Sequence, residues 1–395
     1  MENLKPIFDS DEVCRFIVRR IKHPSAEKSF LNHKGTDRSG AGFEEWKRET
    51  RRWISDLLHY SPEPVALDPI ESEEPGFKSY TMRRVRFRSA EDCLVTAYLL
   101  VPRDIRKPAP AVVALHDHSR YYYWGKEKLL DLPQEPESLR LFQAWRYGSK
   151  GYASALAERG YVVLVIDALG WGERGLSNES WLARDIDFPP GSVDDREESI
   201  RAFNLDATER LGKLALGILY SGSTYMGILL WDDRRSLDYL CSLPFVDPER
   251  IGAIGLSMGG YRTIWLMAAD DRVRCGCSVG FMTRLEDIVP HRQPALWAVV
   301  PGLYEKLPYP DLAGLAAPRD LLLMTCENDN LFSLSDMQAA VERVKTVYEK
   351  AGASSAIEAR SFPVGHQFDL TMQQEAFYWF DRRLKPEGGR AGRSR

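Results

Sequence analysis

The apolar and polar residues of the chain are arranged with two different periods in different segments. At 80–88 and 93–101 they largely alternate, which predicts two paired strands joined by a polar turn. Unbroken apolar runs are typical of strands that are buried on both faces. Such runs occupy 109–115, 161–166 and 250–255, and further strands at 273–279, 320–325 and 356–362 complete the series.

Between these strands, apolar residues recur at helical spacing. The pattern predicts helices at 44–59, 153–159, 225–243, 335–351 and 371–384. Strands that alternate with helices favour an α/β protein with a mostly parallel central sheet and helices on both faces. The first two strands should add an antiparallel edge to that sheet.

Three parts of the chain are expected. Residues 1–76 are polar and compatible with a helical N-terminal extension, 77–385 should form the α/β domain, and 386–395 should be a disordered tail. Two segments, 120–150 and 170–224, break the alternation and are rich in aromatic residues, Gly and Pro. Since loops of this length are usually functional, we expect both insertions to act as lids.

The bulk composition limits the function classes. Lys and Arg total 53 and Asp and Glu total 57, a net charge of −4 that offers no general attraction to nucleic acid. The six cysteines are scattered and lack the second pair of a zinc site, so we expect reduced thiols, no metal and no cofactor. Without an apolar leader or about 18 consecutive apolar residues, we expect no membrane association and a cytoplasmic protein. The sequence leaves homo-oligomer formation open.

The most informative motif is Gly-Leu-Ser-Met-Gly at 255–259. It follows a predicted strand and precedes an apolar, helix-compatible segment, which is the context of a nucleophile elbow. The sharp turn requires small residues on either side of Ser257, as Gly255 and Gly259 provide. Ser257 is therefore the candidate nucleophile, and the N–H of Met258 is placed to donate to an oxyanion. The plainer interpretation is a glycine-rich turn without chemistry.

A serine hydroxyl needs a base, and the base needs an acid that holds its tautomer. Only two histidines follow Ser257, and His366 comes directly after the last predicted strand, whereas His291 lies in a less regular segment. We therefore predict that His366 is the base. The strand at 320–325 leads into Asp329, the predicted acid, with Glu327 as the alternative; both could also be simple turn formers.

The strand at 109–115 ends in His116-Asp117-His118-Ser119, where a second oxyanion donor is expected. The backbone N–H of His118 or of Asp117 is the candidate, and His116 is expected to hold the loop. Two histidines spaced in this way can also begin a metal site, but no second close pair of histidines supports that interpretation.

With these elements in this order, residues 80–384 resemble the α/β-hydrolase superfamily. Two further segments, 166–175 and 232–252, resemble its dienelactone hydrolase-like and acetyl xylan esterase-like branch. The resemblance implies a triad of Ser257, Asp329 and His366, with Met258 as the first oxyanion donor. Dienelactone hydrolases themselves carry a cysteine nucleophile, so the serine favours an oxygen ester. The superfamily often has glycines where this chain has His-Asp-His.

We accordingly expect a serine hydrolase that cleaves a small-molecule carboxylic ester with a small acyl group. Aromatic residues of the insertions, above all Tyr122, Trp124 and Trp171, could stack on the sugar of a carbohydrate ester or merely anchor a lid. The same insertions contain further aromatic candidates, Tyr121, Tyr123, Trp145, Tyr147 and Trp181. Three arginines there could bind a substrate carboxylate or simply be surface residues: Arg146, Arg174 and Arg184. The alternatives are a prolyl-oligopeptidase-like peptidase and a non-catalytic ligand-binding protein of the same fold.

Overall fold

The computed structural model describes residues 25–32, 41–74, 77–105, 107–176, 197–284 and 295–385. The strands in these ranges are β1 (Ile70–Glu74), β2 (Tyr80–Ala90), β3 (Cys93–Pro102), β4 (Ala109–Leu115), β5 (Val162–Ile166), β6 (Val246–Leu256), β7 (Val273–Val279), β8 (Asp320–Cys326) and β9 (Ile357–Phe362). The α-helices are α1 (Ala41–Leu58), α2 (Glu137–Tyr147), α3 (Tyr152–Glu158), α4 (Glu197–Tyr220), α5 (Tyr225–Ser242), α6 (Met258–Ala269), α7 (Leu303–Lys306), α8 (Tyr309–Gly314), α9 (Leu334–Lys350) and α10 (Leu370–Leu384).

The described strands form one sheet in the order β1-β2-β3-β5-β4-β6-β7-β8-β9. The pairs β1–β2, β2–β3 and β3–β5 are antiparallel. The pairs β5–β4, β4–β6, β6–β7, β7–β8 and β8–β9 are parallel. Buried side chains cover both faces of the sheet, with the larger apolar cluster on the face of α5, α6 and α9. The predicted fold class and each predicted strand are confirmed.

One predicted boundary is wrong. Residues 70–74, which the sequence placed in a helical extension covering 1–76, form the edge strand β1, paired antiparallel with β2. Glu71 lies 3.1 Å from the guanidinium of Arg83 and accepts a hydrogen bond of 2.6 Å from the Tyr239 hydroxyl. Because four of the five residues are exposed, no buried alternation marks this strand in the sequence, and its partner strand determines its conformation.

The predicted helix near the N-terminus is present as α1. Its apolar face is buried in the same core as the sheet, through Phe43, Trp46 and Ile54. On its other side, Arg51 forms a two-point ion pair with Asp271, at 2.7 Å for each bond. The helix is therefore packed against the α/β domain.

The two insertions are not the long loops that were predicted. The insertion at 120–150 contains α2, and the insertion at 170–224 contains α4, a helix of 24 residues. Residues 177–196, with Trp181 and Arg184, lie outside the described residues, as do His291 and the predicted tail at 386–395. Among the described residues, no single helix is long and apolar enough to cross a membrane; α4 and α5 meet these criteria only as a pair that is bent by 95°.

Candidate active site

Ser257 lies in a strained turn between β6 and α6. Its φ of 56° and ψ of −118° are unusual for a residue with a side chain, and its N–H donates to the carbonyl of Val279 at 2.8 Å. A Cβ on Gly255 would come within 2.4 Å of the Gly259 backbone, and one on Gly259 within 2.0 Å of the Leu115 carbonyl oxygen. Both glycines are thus required by close backbone contacts, as the motif predicts.

His366 and Asp329 form a buried hydrogen-bonded pair. His366 Nδ1 lies 2.7 Å from Asp329 Oδ2, and the two side chains are 2% and 0% exposed. The other carboxylate oxygen accepts the N–H of Leu331 at 2.7 Å. Because the carboxylate holds a proton on Nδ1, the lone pair of the imidazole is on Nε2. His366 Nε2 is buried and has no hydrogen-bond partner.

The imidazole lies beside the turn that carries Ser257. A Cβ built on Gly280 would be 3.3 Å from the His366 ring, and Gly280 follows the Val279 carbonyl to which Ser257 is bound. Since Nε2 has no partner, no hydrogen bond joins it to the Ser257 hydroxyl. Catalytic hydrogen bonds are often long before substrate binds.

The alternative acid, Glu327, has a different position. Its side chain is exposed, and its backbone N–H continues the pairing of β8 with β9 by donating to Phe362 at 2.8 Å. The structure therefore brings Asp329, and not Glu327, to the histidine.

The loop after β4 lies against the elbow, since its Leu115 and His116 carbonyls are the atoms that a side chain at position 259 would meet. Met258 begins α6, so its N–H belongs to the first turn of the helix, where amides lack helical acceptors. The predicted oxyanion donors, Met258 and His118, thus come from two segments that are in contact.

Asp117 anchors this loop through its carboxylate and its carbonyl. Its carboxylate accepts the hydroxyl of Tyr147, and its carbonyl accepts the Lys128 ammonium at 3.0 Å. Burial alone would raise the pKa of Asp117, but Lys128 and the hydroxyls of Ser119 and Tyr147 lower it to about 2. Asp117 is therefore a charged structural anchor.

Both histidines of the loop are fully engaged. His116 Nε2 accepts the N–H of Ala168 at 3.1 Å, so its Nδ1 donates to the Asp117 carbonyl at 2.9 Å. His118 Nδ1 accepts the N–H of Arg120 at 3.2 Å, so its Nε2 donates to the Tyr122 hydroxyl at 3.1 Å. Burial lowers the pKa of His118 to about 3 and that of His116 well below its usual range. Their nitrogens do not converge on an open position, which argues against the metal interpretation.

Arg146 joins the base to this loop, a role that its sequence position did not indicate. Its Nη1 donates to the backbone carbonyl of His366, and its Nε donates to the Ser119 hydroxyl at 3.1 Å. Its guanidinium also stacks on Trp145, 3.5 Å from the ring centroid. Arg146 therefore holds two candidate catalytic segments at a fixed separation.

The predicted stacking residues are placed differently from expectation. Trp171 is fully buried and Tyr122 is 2% exposed, with their ring centroids 4.9 Å apart and both beside His118. The expectation that these two faces are free for a sugar ring is wrong, because they cover each other and support the loop. Trp124 is half-buried, and its indole N–H donates to Ser138 at 3.2 Å. Trp145, in contrast, is 54% exposed.

A buried ion cluster near the site also has a structural explanation. The carboxylates of Glu127, Asp167 and Glu173 lie within 4.8 Å of one another, close enough to hold a cation. The ammonium of Lys126 already lies among them, at 2.8, 2.7 and 2.7 Å. Arg174, another candidate for binding a substrate carboxylate, is buried against Asp232 at 2.8 Å.

Three aromatic rings that the sequence did not single out connect His118 to His366. Trp297 lies 5.9 Å from His118, Phe281 lies 6.2 Å from Trp297 and 5.2 Å from Phe332, and Phe332 lies 6.2 Å from His366, measured between ring centroids. We call Trp297, Phe281 and Phe332 the aromatic arc. All three rings are at least nine-tenths buried, and the Trp297 indole N–H has no hydrogen-bond partner.

The sheet order, the turn at Ser257 and the His366–Asp329 pair define an α/β-hydrolase. The chain belongs to the family described as "Abhydrolase family", whose model matches residues 15–380. It is 25% identical over 345 residues to YtaP of Bacillus subtilis (strain 168), which has a provisional hydrolase name; the match covers 86% of this chain and 100% of YtaP. The chain is accordingly an enzyme of the hydrolase class.

Solved structures of similar fold are named as carbohydrate esterases. A Bacteroides fragilis protein, provisionally named an acetyl xylan esterase, superposes with a TM-score of 0.66 at 17% identity, over 90% of this chain and 83% of that one. A glucuronoyl esterase from Solibacter usitatus superposes with a TM-score of 0.60 at 16% identity, over 91% of this chain and 97% of that one. At these identities the similarity demonstrates the shared fold.

Proposed function

We propose that the protein is a serine carboxylic ester hydrolase that acts through an acyl-enzyme. The observation that carries this proposal is the buried His366–Asp329 pair, in which one ring nitrogen has no partner and the imidazole lies against Gly280, next to the carbonyl that accepts the N–H of Ser257. A base that is oriented by a carboxylate and has a free lone pair is what a serine nucleophile requires.

In the proposed reaction, Ser257 Oγ attacks the ester carbonyl carbon while His366 Nε2 takes the hydroxyl proton. The resulting oxyanion accepts hydrogen bonds from the N–H of Met258 and from a backbone N–H of the His118 loop. The intermediate collapses, the alcohol leaves with the proton from His366, and the acyl group stays on the serine. Water then repeats the sequence on the acyl-enzyme, releasing the acid and restoring Ser257.

The aromatic arc supports a small acyl group. Its rings run from the predicted oxyanion loop to the base, and Tyr261, one turn after Ser257 in α6, packs on Phe281 at 4.8 Å and on Trp297 at 5.5 Å. Close-packed aromatic rings leave little room for a long chain. We therefore propose an acetyl-sized acyl group, consistent with the acetyl xylan esterase name of the structurally similar Bacteroides fragilis protein.

The test is intact-mass analysis after treatment with a fluorophosphonate, on the wild type and on Ser257→Ala. We expect one adduct on the wild type and none on the variant, together with hydrolysis of 4-nitrophenyl acetate by the wild type alone. Circular dichroism of the variant checks that it folds. An unlabelled, inactive but folded wild type would contradict the proposal and favour a ligand-binding protein. Faster turnover of aminoacyl amides than of esters would favour the peptidase.

A further inference from the structure

A groove of about 500 Å³ lies between α2 and α4. Its lining combines apolar side chains of both helices, among them Leu141, Trp145 and Leu205, with polar side chains of the loop after β4 and of α4, among them Arg120, Arg201 and Asn204. This volume is in the range of small-molecule sites.

Two chain segments connect the groove to the candidate active site. Arg120 lines the groove, and the residue before it, Ser119, accepts a hydrogen bond from Arg146. Trp145 lines the groove, and the residue after it, Arg146, donates to the carbonyl of His366. The groove is therefore lined by residues that are next in the chain to those that support the predicted oxyanion loop and the predicted base.

The groove exposes an aromatic side chain, Trp145, on which a ring of the ligand can stack. Leu141, Trp145 and Leu205 are 48%, 54% and 67% exposed, a concentration of exposed apolar surface that usually marks a binding site. One face of Trp145 is covered by the Arg146 guanidinium. A cation on that face fixes the orientation of the indole, which remains more than half exposed and so presents aromatic surface for stacking.

The charge of the groove has one sign. Arg120 and Arg201 are both exposed, and no carboxylate is among the lining residues that the structure describes. A ligand with a negative substituent is therefore attracted, and arginine can bind a carboxylate through two parallel hydrogen bonds. Asn204 is occupied otherwise, since its side-chain carbonyl accepts the N–H groups of Tyr122 and Tyr123.

We propose that the α2–α4 groove binds the alcohol portion of the ester and selects a ring that bears a negative charge. This inference rests on the proposed function. Because the aromatic arc confines the acyl portion, the alcohol portion extends away from the arc, and the groove is the cavity that adjoins the site through residues 119–120 and 145–146.

Three acetate esters test the proposal while the acyl group stays the same. The esters are 4-acetoxybenzoate, with a ring and a charge, 4-acetoxybenzamide, its neutral counterpart of similar shape, and ethyl acetate, which has no ring. At low salt we expect kcat/KM of the wild type to be about five-fold higher for the benzoate than for the benzamide. This ratio corresponds to the stabilisation that an exposed ion pair provides.

Variants separate the two contributions. Arg201→Gln should lower the benzoate-to-benzamide ratio toward one, because kcat/KM falls more for the benzoate than for the benzamide. Trp145→Ala should lower kcat/KM for both ring esters by about three- to ten-fold relative to ethyl acetate, the range of an aromatic contact. The control is Tyr378→Ala, which removes an aromatic residue of similar exposure, 53%, from α10 and should change neither ratio.

The outcomes distinguish this inference from the proposed function. Equal ratios in the wild type and in both variants, with active acetate hydrolysis, would overturn the groove assignment and leave the esterase intact. No hydrolysis of any ester, with no labelling of Ser257, would overturn the proposed function itself. A benzoate preference that survives Arg201→Gln and an Arg120→Gln/Arg201→Gln double variant would also overturn the groove assignment.

Discussion

The loop after β4 and the loop after β9 both bring buried histidines to the same end of the sheet, but they leave them in different states. In the first loop, all four ring nitrogens of His116 and His118 have hydrogen-bond partners. In the second, His366 has one nitrogen on Asp329 and one buried nitrogen without a partner.

The difference separates a structural histidine from a candidate base. A ring whose two nitrogens are both used is held in one tautomer and stabilises its loop, whereas proton transfer needs a nitrogen that is oriented but not occupied. All three rings are buried or half-buried, so burial does not distinguish the two kinds of histidine. The distinguishing property is whether the second ring nitrogen has a hydrogen-bond partner.

The sharpest way to break this comparison is to remove each imidazole in turn. We expect His366→Gln to lower kcat for 4-nitrophenyl acetate by about 10⁴- to 10⁶-fold, because the serine loses its base. His118→Gln keeps the backbone N–H that is the oxyanion candidate, so it should cost less than about ten-fold. An equal loss in both variants would show that the side chain of His118 takes part in the chemistry.

A smaller effect is expected from the residue that joins the two loops. Arg146→Gln removes the donors to the His366 carbonyl and to Ser119, and we expect kcat to fall about ten-fold while KM for a small acetate stays constant, since the reacting groups lose alignment. Arg146→Lys should recover part of the loss.

The matched control for Arg146 is Arg140→Gln on the same helix. Arg140 is exposed and contacts only Glu137, at 3.1 Å, among the ion pairs of the described residues. A comparable loss of kcat in the Arg140 variant, or no loss in the Arg146 variant, would contradict a positioning role for Arg146.

The smallest effect is on stability and depends on pH. Burial lowers the pKa of His118 to about 3, whereas the unfolded chain takes up this proton near pH 6.5. Between these values the unfolded state binds more protons, so the free energy of unfolding falls as pH decreases from about 6.5 toward 3. His118→Gln should make this decline shallower, by at most about 1.4 kcal/mol per pH unit.

Urea denaturation at several pH values between 4 and 7 measures that slope. His59→Gln, at an exposed position, should keep the slope of the wild type. A slope that does not change in the His118 variant would mean that this imidazole is protonated in the folded protein at moderate pH.

The elements of the fold were predictable where local pattern and burial agree. The apolar segments that became β4 to β8 are largely buried on both faces, so their composition identifies them. Strand β1 and helices α2 and α4 were not predicted, the strand for one reason and the helices for another. Exposed residues of β1 carry no periodic signal, and the aromatic residues of the insertions were interpreted as loop contacts although they pack between helices.

The candidate site was predictable to the same extent. Ser257 follows from backbone sterics, since the turn admits only glycine two residues to either side, and Asp329 and His366 follow because each comes directly after a parallel strand. The sequence could not show that Trp171 and Tyr122 are buried against each other, or that Arg146 reaches the carbonyl of His366, 220 residues away.

The sequence by itself determined the succession of strands and helices along the parallel part of the chain, the strained turn and the residue types at the strand ends. These features depend on neighbours in the chain. Only the tertiary structure decided which histidine nitrogen is left without a partner, which aromatic faces are open and where a groove remains. These properties depend on side chains that come from distant segments, and hydrogen-bond partners and packing are assigned only when those segments meet.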